Sequence, residues 1–253
     1  MEDKIPMIKA TYIDHMGSDL SVVNAARVSF GKRSGWHDHD SETDQYVLKD
    51  ADRKLVHYLA CHKHTSPFGH AFASFHIKAP IFVARQLVKH KFLRWNEISR
   101  RYVDSKPEFY EPVEWRGKSL NKKQGSEGVV PLYIDQDMQW HRQLSIYENM
   151  LDNEVCPEQA RMVLPQSMMT EWHWSGSLDA FAAMCVLRCA EDTQYESRLV
   201  ANNIDIKMKE LFPVSWAALV PNKSTINKTI RPMDSGERSR AAEKSLLNSP
   251  KRG

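Results

Sequence analysis

The densest set of side chains that could do chemistry lies in residues 85–102, RQLVKHKFLRWNEISRRY. This segment contains six basic side chains, one carboxylate at Glu97 and one imidazole at His90. On a helix, Arg85 and Lys89 would be neighbours four residues apart, and a polar loop with Ser99 would follow. Guanidinium groups bind phosphate through paired hydrogen bonds, and serine hydroxyls add donors. The segment therefore predicts an anion-binding site, with a solvated basic helix face as the alternative.

A second group of potential ligands is one cysteine followed by four histidines: Cys61, His62, His64, His70 and His76. Their spacing fits no standard zinc pattern, so we predict no metal site. Cys185 and Cys189 lie four residues apart in a predicted helix and are interpreted as core thiols. Trp172 and Trp174 alternate in a weak strand pattern and are interpreted as packing groups, whereas Trp95 could stack on single-stranded nucleic acid.

The elements that must position these groups follow from hydrophobic periodicity. Alternation predicts strands at residues 7–14, 70–79 and, more weakly, 167–174. Helical spacing predicts helices at 19–28, 48–62, 80–92, 135–153, 157–162, 178–190 and 193–212, with Pro213 ending the last one. Residues 31–42 and 116–129 are predicted to be polar loops. Strands and helices do not alternate regularly, and no glycine-rich loop follows a strand. We therefore predict a single α+β domain rather than a doubly wound nucleotide-binding fold.

The composition is that of a globular protein. The chain has 253 residues, of which 42% are hydrophobic and 26% charged, which suits one large domain. No segment approaches the roughly 18 uncharged apolar residues of a membrane helix, and MEDKIPMIKA lacks the apolar core of a signal peptide. Four cysteines are too few for a disulfide scaffold. We therefore expect a cytoplasmic protein without a membrane partner.

The net charge of +3 is unevenly distributed. Residues 221–253 contain eight basic and three acidic side chains and carry +5, which leaves −2 for residues 1–220. This segment has few large apolar groups, so burial cannot offset the entropy of ordering it. We predict a folded domain at 1–220 and a polar basic C-terminal tail at 221–253. A nucleic-acid-binding arm is the alternative for the tail, while the charge of the folded part argues against nucleic acid as a partner.

The chain resembles the flavin-dependent thymidylate synthases. That family has Arg-His-Arg, seven residues and then Ser, and this chain has Lys89-His90-Lys91 followed by Ser99 at the same spacing. KAPIFVARQ at 78–86 and NEISRRY at 96–102 resemble the flanking family segments. The same holds, in order, for SDLSVVNAARVSF at 18–30, HTSPFGH at 64–70, EQARMVLP at 158–165 and LRCAEDTQYESR at 187–198. The resemblance covers about residues 7–219.

The resemblance implies a specific activity. The family methylates deoxyuridine monophosphate (dUMP) at C5 to give thymidylate (dTMP), in the pathway of nucleotide biosynthesis. It takes the carbon from methylenetetrahydrofolate and uses flavin adenine dinucleotide (FAD), reduced by NADPH. The implied fold is α+β, a single domain with an antiparallel sheet and several long helices, in a homotetramer whose subunits share active sites.

The resemblance also implies residue roles. Arg188 matches the catalytic arginine, whose fixed cation favours ionisation of the pyrimidine at N3 and raises electron density at C5. The adjoining Cys185, Val186 and Leu187 suggest that it is partly enclosed. The implied dUMP-binding residues are Gln86, Lys89, Glu97, Ser99, Arg100, Arg101, Arg161 and Arg188. The implied FAD-side residues are His64, Ser66, Lys89, His90, Lys91 and Glu97. For Ser99, phosphate binding is preferred to a role as nucleophile, which would need a neighbouring base.

The chain departs from the family mainly on the flavin side. Lysine stands at 89 and 91 in place of arginine, which keeps the charge but loses the planar fork. Gly69 replaces an acidic residue, and the family's Asn-x-Arg and later Asn correspond to Ser177, Asp179 and Ala183. Two alternatives therefore stay open. One is a related one-carbon transferase acting on another pyrimidine nucleotide, for example by hydroxymethylation. The other is a non-catalytic relative that binds nucleotide or nucleic acid.

Overall fold

The computed structural model describes residues 8–40, 45–103, 105–120 and 125–220. The strands are β1 (Lys9–Met16), β2 (Asp38–Asp40), β3 (Gln45–Val47), β4 (Phe72–Pro80), β5 (Leu93–Glu97), β6 (Arg116–Lys118), β7 (Ser126–Val129) and β8 (Met169–Ser177). The α-helices are α1 (Asp19–Arg27), α2 (Asp50–Cys61), α3 (Ile81–Leu87), α4 (Gln136–Asp152), α5 (Pro157–Ala160), α6 (Leu178–Arg188), α7 (Tyr195–Leu211) and α8 (Pro213–Leu219). Short 3-10 helices occupy Val28–Phe30, Ser66–His70 and Arg161–Val163.

The centre of the fold is a four-stranded antiparallel sheet in the order β1-β4-β8-β5. In β4, Ala73, Phe75 and Ile77 are buried while the alternate residues His76 and Lys78 are half-exposed. Successive strand residues point to opposite faces, so this alternation gives the sheet one core face and one polar face. The predicted strand at 70–79 and the predicted α+β class with an antiparallel sheet are confirmed.

The core lies between the apolar face of the sheet and the helices. Trp172 and Trp174 of β8 are 1% exposed, as expected for packing groups. Phe181 of α6 lies edge-on to Phe75 at 5.4 Å and to Trp174 at 5.6 Å between ring centroids. Edge-to-face pairs of this kind add stability beyond the buried area. This packing fixes α6 on the sheet, and so fixes Arg188 at the end of that helix.

The predicted helix at 80–92 is wrong in its second half. The structure ends α3 at Leu87, and residues 88–92 form a turn in which Phe92 has a φ of +65°. The motif Lys89-His90-Lys91 lies in this turn, so Arg85 and Lys89 do not share a helical face. The strand β5 then pairs with β8, where a Cβ on Gly176 would lie 2.4 Å from a methyl carbon of Leu93. The missing side chain at 176 therefore lets β5 approach.

Three shorter elements also differ from prediction. The loop at 31–42 contains β2, which pairs with β3, and the loop at 116–129 contains the hairpin β6–β7. Pro213 follows α7 as predicted, but it also begins α8. The first amides of α8, on Val214 and Ser215, donate to the buried carboxylate of Asp19 at 2.9 and 2.8 Å, which caps the helix. Burial raises the pKa of Asp19.

Within the described residues, no helix is both long and apolar enough to cross a membrane. The predicted tail at 221–253 lies outside the described residues, so the division at residue 220 stays a prediction.

Candidate active site

Arg188, the predicted catalytic residue, is held by the end of α3 and the turn that follows it. Its Nε donates to Nε2 of His90 at 3.0 Å, and its Nη2 donates to the backbone carbonyl of Gln86 at 3.3 Å. The guanidinium is half-buried, but not for the predicted reason, because Val186 and Leu187 are 57% and 56% exposed. The enclosure comes from contacts with residues about a hundred positions earlier in the chain.

The electrostatics of this pair fix which partner carries charge. Burial, and then the charge of Arg188, lower the pKa of His90 to about 4. His90 is therefore neutral at neutral pH, and its Nε2 accepts while the proton resides on Nδ1. Burial also lowers the pKa of Arg188, but guanidinium stays protonated in proteins. The pair thus presents one uncompensated positive charge.

Gln86 connects α3 to the beginning of α7. Its side-chain amide donates to Oε1 of Gln194, and its Oε1 accepts from the hydroxyl of Ser197 at 3.2 Å. Both ends of the side chain are therefore engaged within the chain. The resemblance implied that Gln86 binds nucleotide; in this structure it fixes the backbone carbonyl that receives Arg188.

A cleft of about 1000 Å³ opens beside Arg188 and Gln86. Its wall includes the aromatic rings of Phe82, Tyr110, Trp115 and Trp140, together with several glutamine amides. Apolar rings with a few amide groups suit a flat polar ligand, which can stack and form hydrogen bonds at its edge. A pyrimidine ring meets this description.

The same cleft is bordered by an ionic cluster that the sequence analysis did not single out. Glu196 is 3% exposed and accepts from Arg116 and from the hydroxyl of Tyr110 at 3.3 Å. Arg116 also lies 4.5 Å from the ring centroid of Tyr195. Burial, and then the charge of Glu196, raise the pKa of Tyr110. Glu196 lies within the family-like segment 187–198, but its partners come from 80 or more positions earlier.

A second cleft, of about 440 Å³, contains three other predicted nucleotide-binding residues: Glu97, Arg100 and Arg161. Both oxygens of Glu97 are engaged, since Oε1 accepts from the hydroxyl of Thr170 at 2.6 Å and Oε2 accepts from Nε1 of Trp95 at 3.0 Å. The carboxylate therefore has a fixed orientation in a cleft that Arg100 and Arg161 also line. Such a cleft can hold an anion and an adjoining hydrogen-bond donor.

Ser99 and Arg101 border the same region. The hydroxyl oxygen of Ser99 lies 3.4 Å from the backbone nitrogen and 3.5 Å from Nε of Arg101, both of which donate to it. Arg101 also pairs with Glu158 at 3.7 Å. Among the hydrogen bonds of the described residues, none joins Ser99 to a histidine or a carboxylate that could act as a base. This arrangement favours phosphate binding over a nucleophilic role for Ser99.

Residues of the segment 164–168 border both clefts. The larger cleft is bordered by Pro165, Gln166 and Ser167, and the smaller one by Leu164 and Met168. The residues implied to bind dUMP thus form two groups within one chain, one around Arg188 and one around Arg161.

The predicted flavin-side residues other than Glu97 lie in segments that lead into one end of the sheet. Phe72 pairs with Ser177 and Leu93 pairs with Gly176, so β4 and β5 start at the same end of the sheet, on either side of the end of β8. The 3-10 helix that begins at Ser66 precedes β4, and the turn with Lys89 and Lys91 precedes β5. His64 is exposed, and its ring is parallel within 15° to that of Tyr58 at 6.2 Å.

The residues at this end fit FAD in part. The exposed ammonium groups of Lys89 and Lys91 suit a diphosphate, as point charges rather than as forks. The first turn of α6 does not suit it, because Asp179 places a carboxylate there whose buried Oδ1 has no hydrogen-bond partner. Ser177 caps this helix without a side-chain hydrogen bond, and Ala183 is exposed. A Cβ on Gly69 would meet nothing within 4 Å.

The other residues considered for chemistry, which are the potential metal ligands, two cysteines and Trp95, lie in surroundings that favour structural roles. In the part of the chain that the structure describes, no group of three or more histidine, cysteine or acidic residues could hold a metal. Cys185 is fully buried and Cys189 is half-buried. Trp95, considered for nucleic-acid stacking, has its ring stacked on that of Trp172 at 4.2 Å, so that face is occupied.

The protein combines an antiparallel α+β fold with two arginine-containing clefts that could hold an anionic, flat ligand. Residues 11–214 match the family described as "Thymidylate synthase complementing protein" (Thy1), and the chain belongs to that family. The resemblance found in the sequence is therefore confirmed.

Curated relatives agree with this membership. The chain is 40% identical over 210 residues to a flavin-dependent thymidylate synthase of Thermus thermophilus, covering 81% of this chain and 73% of the relative. It is 33% identical over 214 residues to one of Thermosipho africanus, covering 82% and 89%. A solved structure of the UMP/dUMP methylase PolB from Streptomyces cacaoi, bound with 5-Br dUMP, is also similar. Its TM-score is 0.67 at 28% identity, over 83% of this chain and 94% of that one.

Proposed function

We propose that this protein is a flavin-dependent thymidylate synthase. It converts dUMP to dTMP with methylenetetrahydrofolate as carbon donor, FAD as cofactor and NAD(P)H as reductant. Family membership over residues 11–214 supports the reaction class. The structural observation that carries the proposal is the Arg188 guanidinium, held at a large cleft by a neutral histidine and a carbonyl.

Arg188 activates the pyrimidine by charge. The pyrimidine enters the cleft beside it, and the fixed cation lowers the pKa of N3 by stabilising the anion that forms when its proton leaves. The added electron density makes C5 a better nucleophile toward the folate carbon. Bound FAD supplies the hydride chemistry, with Lys89 and Lys91 for its diphosphate and His64 and Ser66 on the flavin side.

The smaller cleft supplies the phosphate site in this proposal. Arg100, Arg101 and Arg161 provide cations, Ser99 provides a hydroxyl, and Glu97 provides an oriented acceptor. Arginine forks favour phosphate because two parallel N–H groups match two of its oxygens. The distribution of these groups over two clefts supports a site shared between subunits, with one chain giving the Arg188 side and another the phosphate side.

We therefore propose a homotetramer that works in the cytoplasm, with residues 1–220 catalytic. The exposed apolar side chains beside the site support burial against another copy, since Phe92 is 80% exposed and Val186 and Leu187 more than half. Light scattering during size-exclusion chromatography tests the assembly. A monomeric, fully active enzyme would contradict a shared site.

The activity test is product identification. The purified protein, which should be yellow or bind added FAD, is incubated with dUMP, NADPH and isotopically labelled methylenetetrahydrofolate. Mass spectrometry should find labelled dTMP for the wild type and none for Arg188→Ala at matched FAD loading. A protein that never binds flavin, or that turns over nothing, would contradict the proposal.

The product analysis also separates the alternatives. PolB is described as acting on both UMP and dUMP, so UMP and the cytidine nucleotides belong in the assay. A labelled hydroxymethyl product, or a preference for another pyrimidine nucleotide, would favour the related one-carbon transferase. Salt-sensitive binding to polynucleotide without turnover would favour the non-catalytic relative.

A further inference from the structure

We infer that His90 is a positioning residue, whose neutral imidazole holds the Arg188 guanidinium in the orientation that the pyrimidine requires. The inference deepens the proposed function and rests on it. It differs from the role that the resemblance implies for His90, which is contact with the flavin. The contact that carries it is the 3.0 Å hydrogen bond from Nε of Arg188 to Nε2 of His90.

Two contacts fix two of the three guanidinium nitrogens. Nε is engaged by His90, and Nη2 is engaged by the carbonyl of Gln86 at 3.3 Å. A guanidinium has five N–H groups in one plane, so both hydrogens of Nη1 and one of Nη2 remain for a ligand. That remaining edge presents two parallel donors, which match a carbonyl oxygen and an adjacent deprotonated ring nitrogen. His90 thus determines which edge of Arg188 meets the substrate.

The choice of a histidine has a consequence for charge. A carboxylate in its place would hold the guanidinium more strongly but would neutralise much of its positive charge. An imidazolium could not accept a hydrogen bond at all. Burial and the neighbouring cation keep His90 unprotonated, with a pKa of about 4. The neutral acceptor therefore orients Arg188 and leaves its full charge available to an anionic pyrimidine.

The backbone makes this acceptor rigid. The amide of His90 donates to the carbonyl of Leu87 at 3.1 Å, which closes the turn after α3. The side chain of Gln86 is tied to Gln194 and Ser197 at the start of α7, so the second acceptor is fixed as well. Both acceptors belong to one short segment, residues 86–90, that contacts the end of α6.

The test compares His90→Gln with His90→Asn in the full-length, FAD-loaded enzyme. The side-chain oxygen of glutamine can reach the position of Nε2, whereas asparagine is one methylene shorter and cannot. The two variants are matched in polarity and in loss of the ring. We expect kcat for dUMP to fall roughly 10- to 100-fold in His90→Asn, the effect of losing one hydrogen bond from a charged donor. His90→Gln should recover most of that loss.

Two further readouts separate positioning from other roles. The dissociation constant of FAD, measured by absorbance titration, should be the same within about twofold for both variants, since orienting Arg188 toward the pyrimidine does not involve the flavin. The ultraviolet spectrum of bound 5-fluoro-dUMP, which changes on ionisation at N3, should show less anion in His90→Asn than in His90→Gln.

The outcomes are distinct. If Gln and Asn are equally impaired, or if both lose FAD in parallel with activity, His90 is not a positioning residue for Arg188 and the inference is overturned, although the proposed function stands. If the wild-type enzyme does not act on dUMP, the proposed function fails and the inference falls with it.

Discussion

The buried ion pair between α1 and α2 predicts unequal losses of stability when one or the other of its partners is removed. Asp52 is 0% exposed and accepts from Nε of Arg27 at 2.8 Å, from Nη2 of the same arginine and from the hydroxyl of Ser34. The side chain of Arg27 is 25% exposed. Removing either partner leaves a charge without its counterion, but only the arginine can reach water. Arg27→Met should therefore destabilise the protein more than Asp52→Leu.

The magnitudes follow from the burial of each group. Leaving a buried charge unpaired costs about 3–5 kcal/mol, and Arg27→Met should be near the upper end because Asp52 has no access to solvent. Asp52→Leu should cost about 2 kcal/mol, since Arg27 can turn toward water and keep part of its hydration. The double variant should lie within about 1–2 kcal/mol of the wild type, because replacing a whole buried pair by apolar groups is often nearly neutral.

The assay is urea unfolding at pH 7, with all four proteins at one concentration, since the stability of an oligomer depends on concentration. The free energy of unfolding from the linear extrapolation gives the two single effects and their coupling. A cost for Asp52→Leu equal to or above that for Arg27→Met would refute the argument from exposure. Additive single effects, with no recovery in the double variant, would refute the pairing itself.

Three other predictions concern the active site and the core. Arg188→Lys keeps the charge but loses Nε and the planar fork, so kcat should fall about 10²–10³-fold, as for removal of one oriented donor, while FAD absorbance stays unchanged; a loss below fivefold would contradict this. Phe181→Ala removes a fully buried ring packed against Phe75 and Trp174 and should lower the free energy of unfolding by about 3–5 kcal/mol in urea titration; a cost near zero would show that the ring is not part of the core. Because the pKa of His90 is lowered from 6.5 to about 4 in the folded state, the unfolded chain takes up that proton first, so its contribution to stability is present above pH 6.5 and is lost as the pH falls toward 4. This part of the decrease in the free energy of unfolding at acid pH should be absent in His90→Gln, and an unchanged pH dependence would contradict the prediction.

The sequence predicted the elements in which one buried face imposes a regular spacing of apolar residues. Ala73, Phe75 and Ile77 alternate with polar residues because one side of β4 is buried and the other is not. The region after Leu87 was misassigned because its helical spacing continues in sequence. The residues around Leu93 do not predict that it packs against Gly176, which lies more than eighty positions later and has no side chain.

The site residues could be named, but their arrangement could not be predicted. Arg188 and His90 were each identified from the resemblance, yet the hydrogen bond between them joins residues 98 positions apart. Arg188 is half-buried as expected, but Val186 and Leu187 of its apolar flank are exposed, because sequence neighbours on a helix point in different directions. The pair of Glu196 and Arg116 could not be predicted either, because its two residues are 80 positions apart and neither is distinctive without its partner.

The two halves of the site differ in how far the folded chain organises them. Arg188 is fixed by contacts to His90 and Gln86 before any ligand arrives. By contrast, no hydrogen bond or ion pair among the described residues involves Lys89 or Lys91, and both are exposed. Ordering a free lysine on binding costs about 0.5–1.5 kcal/mol per side chain, whereas a fixed group costs no reorganisation when charge develops. In the proposed function, the chain therefore pre-organises the cation that would act on the reacting base and leaves the flexible cations to be ordered by the diphosphate, where strict geometry matters less.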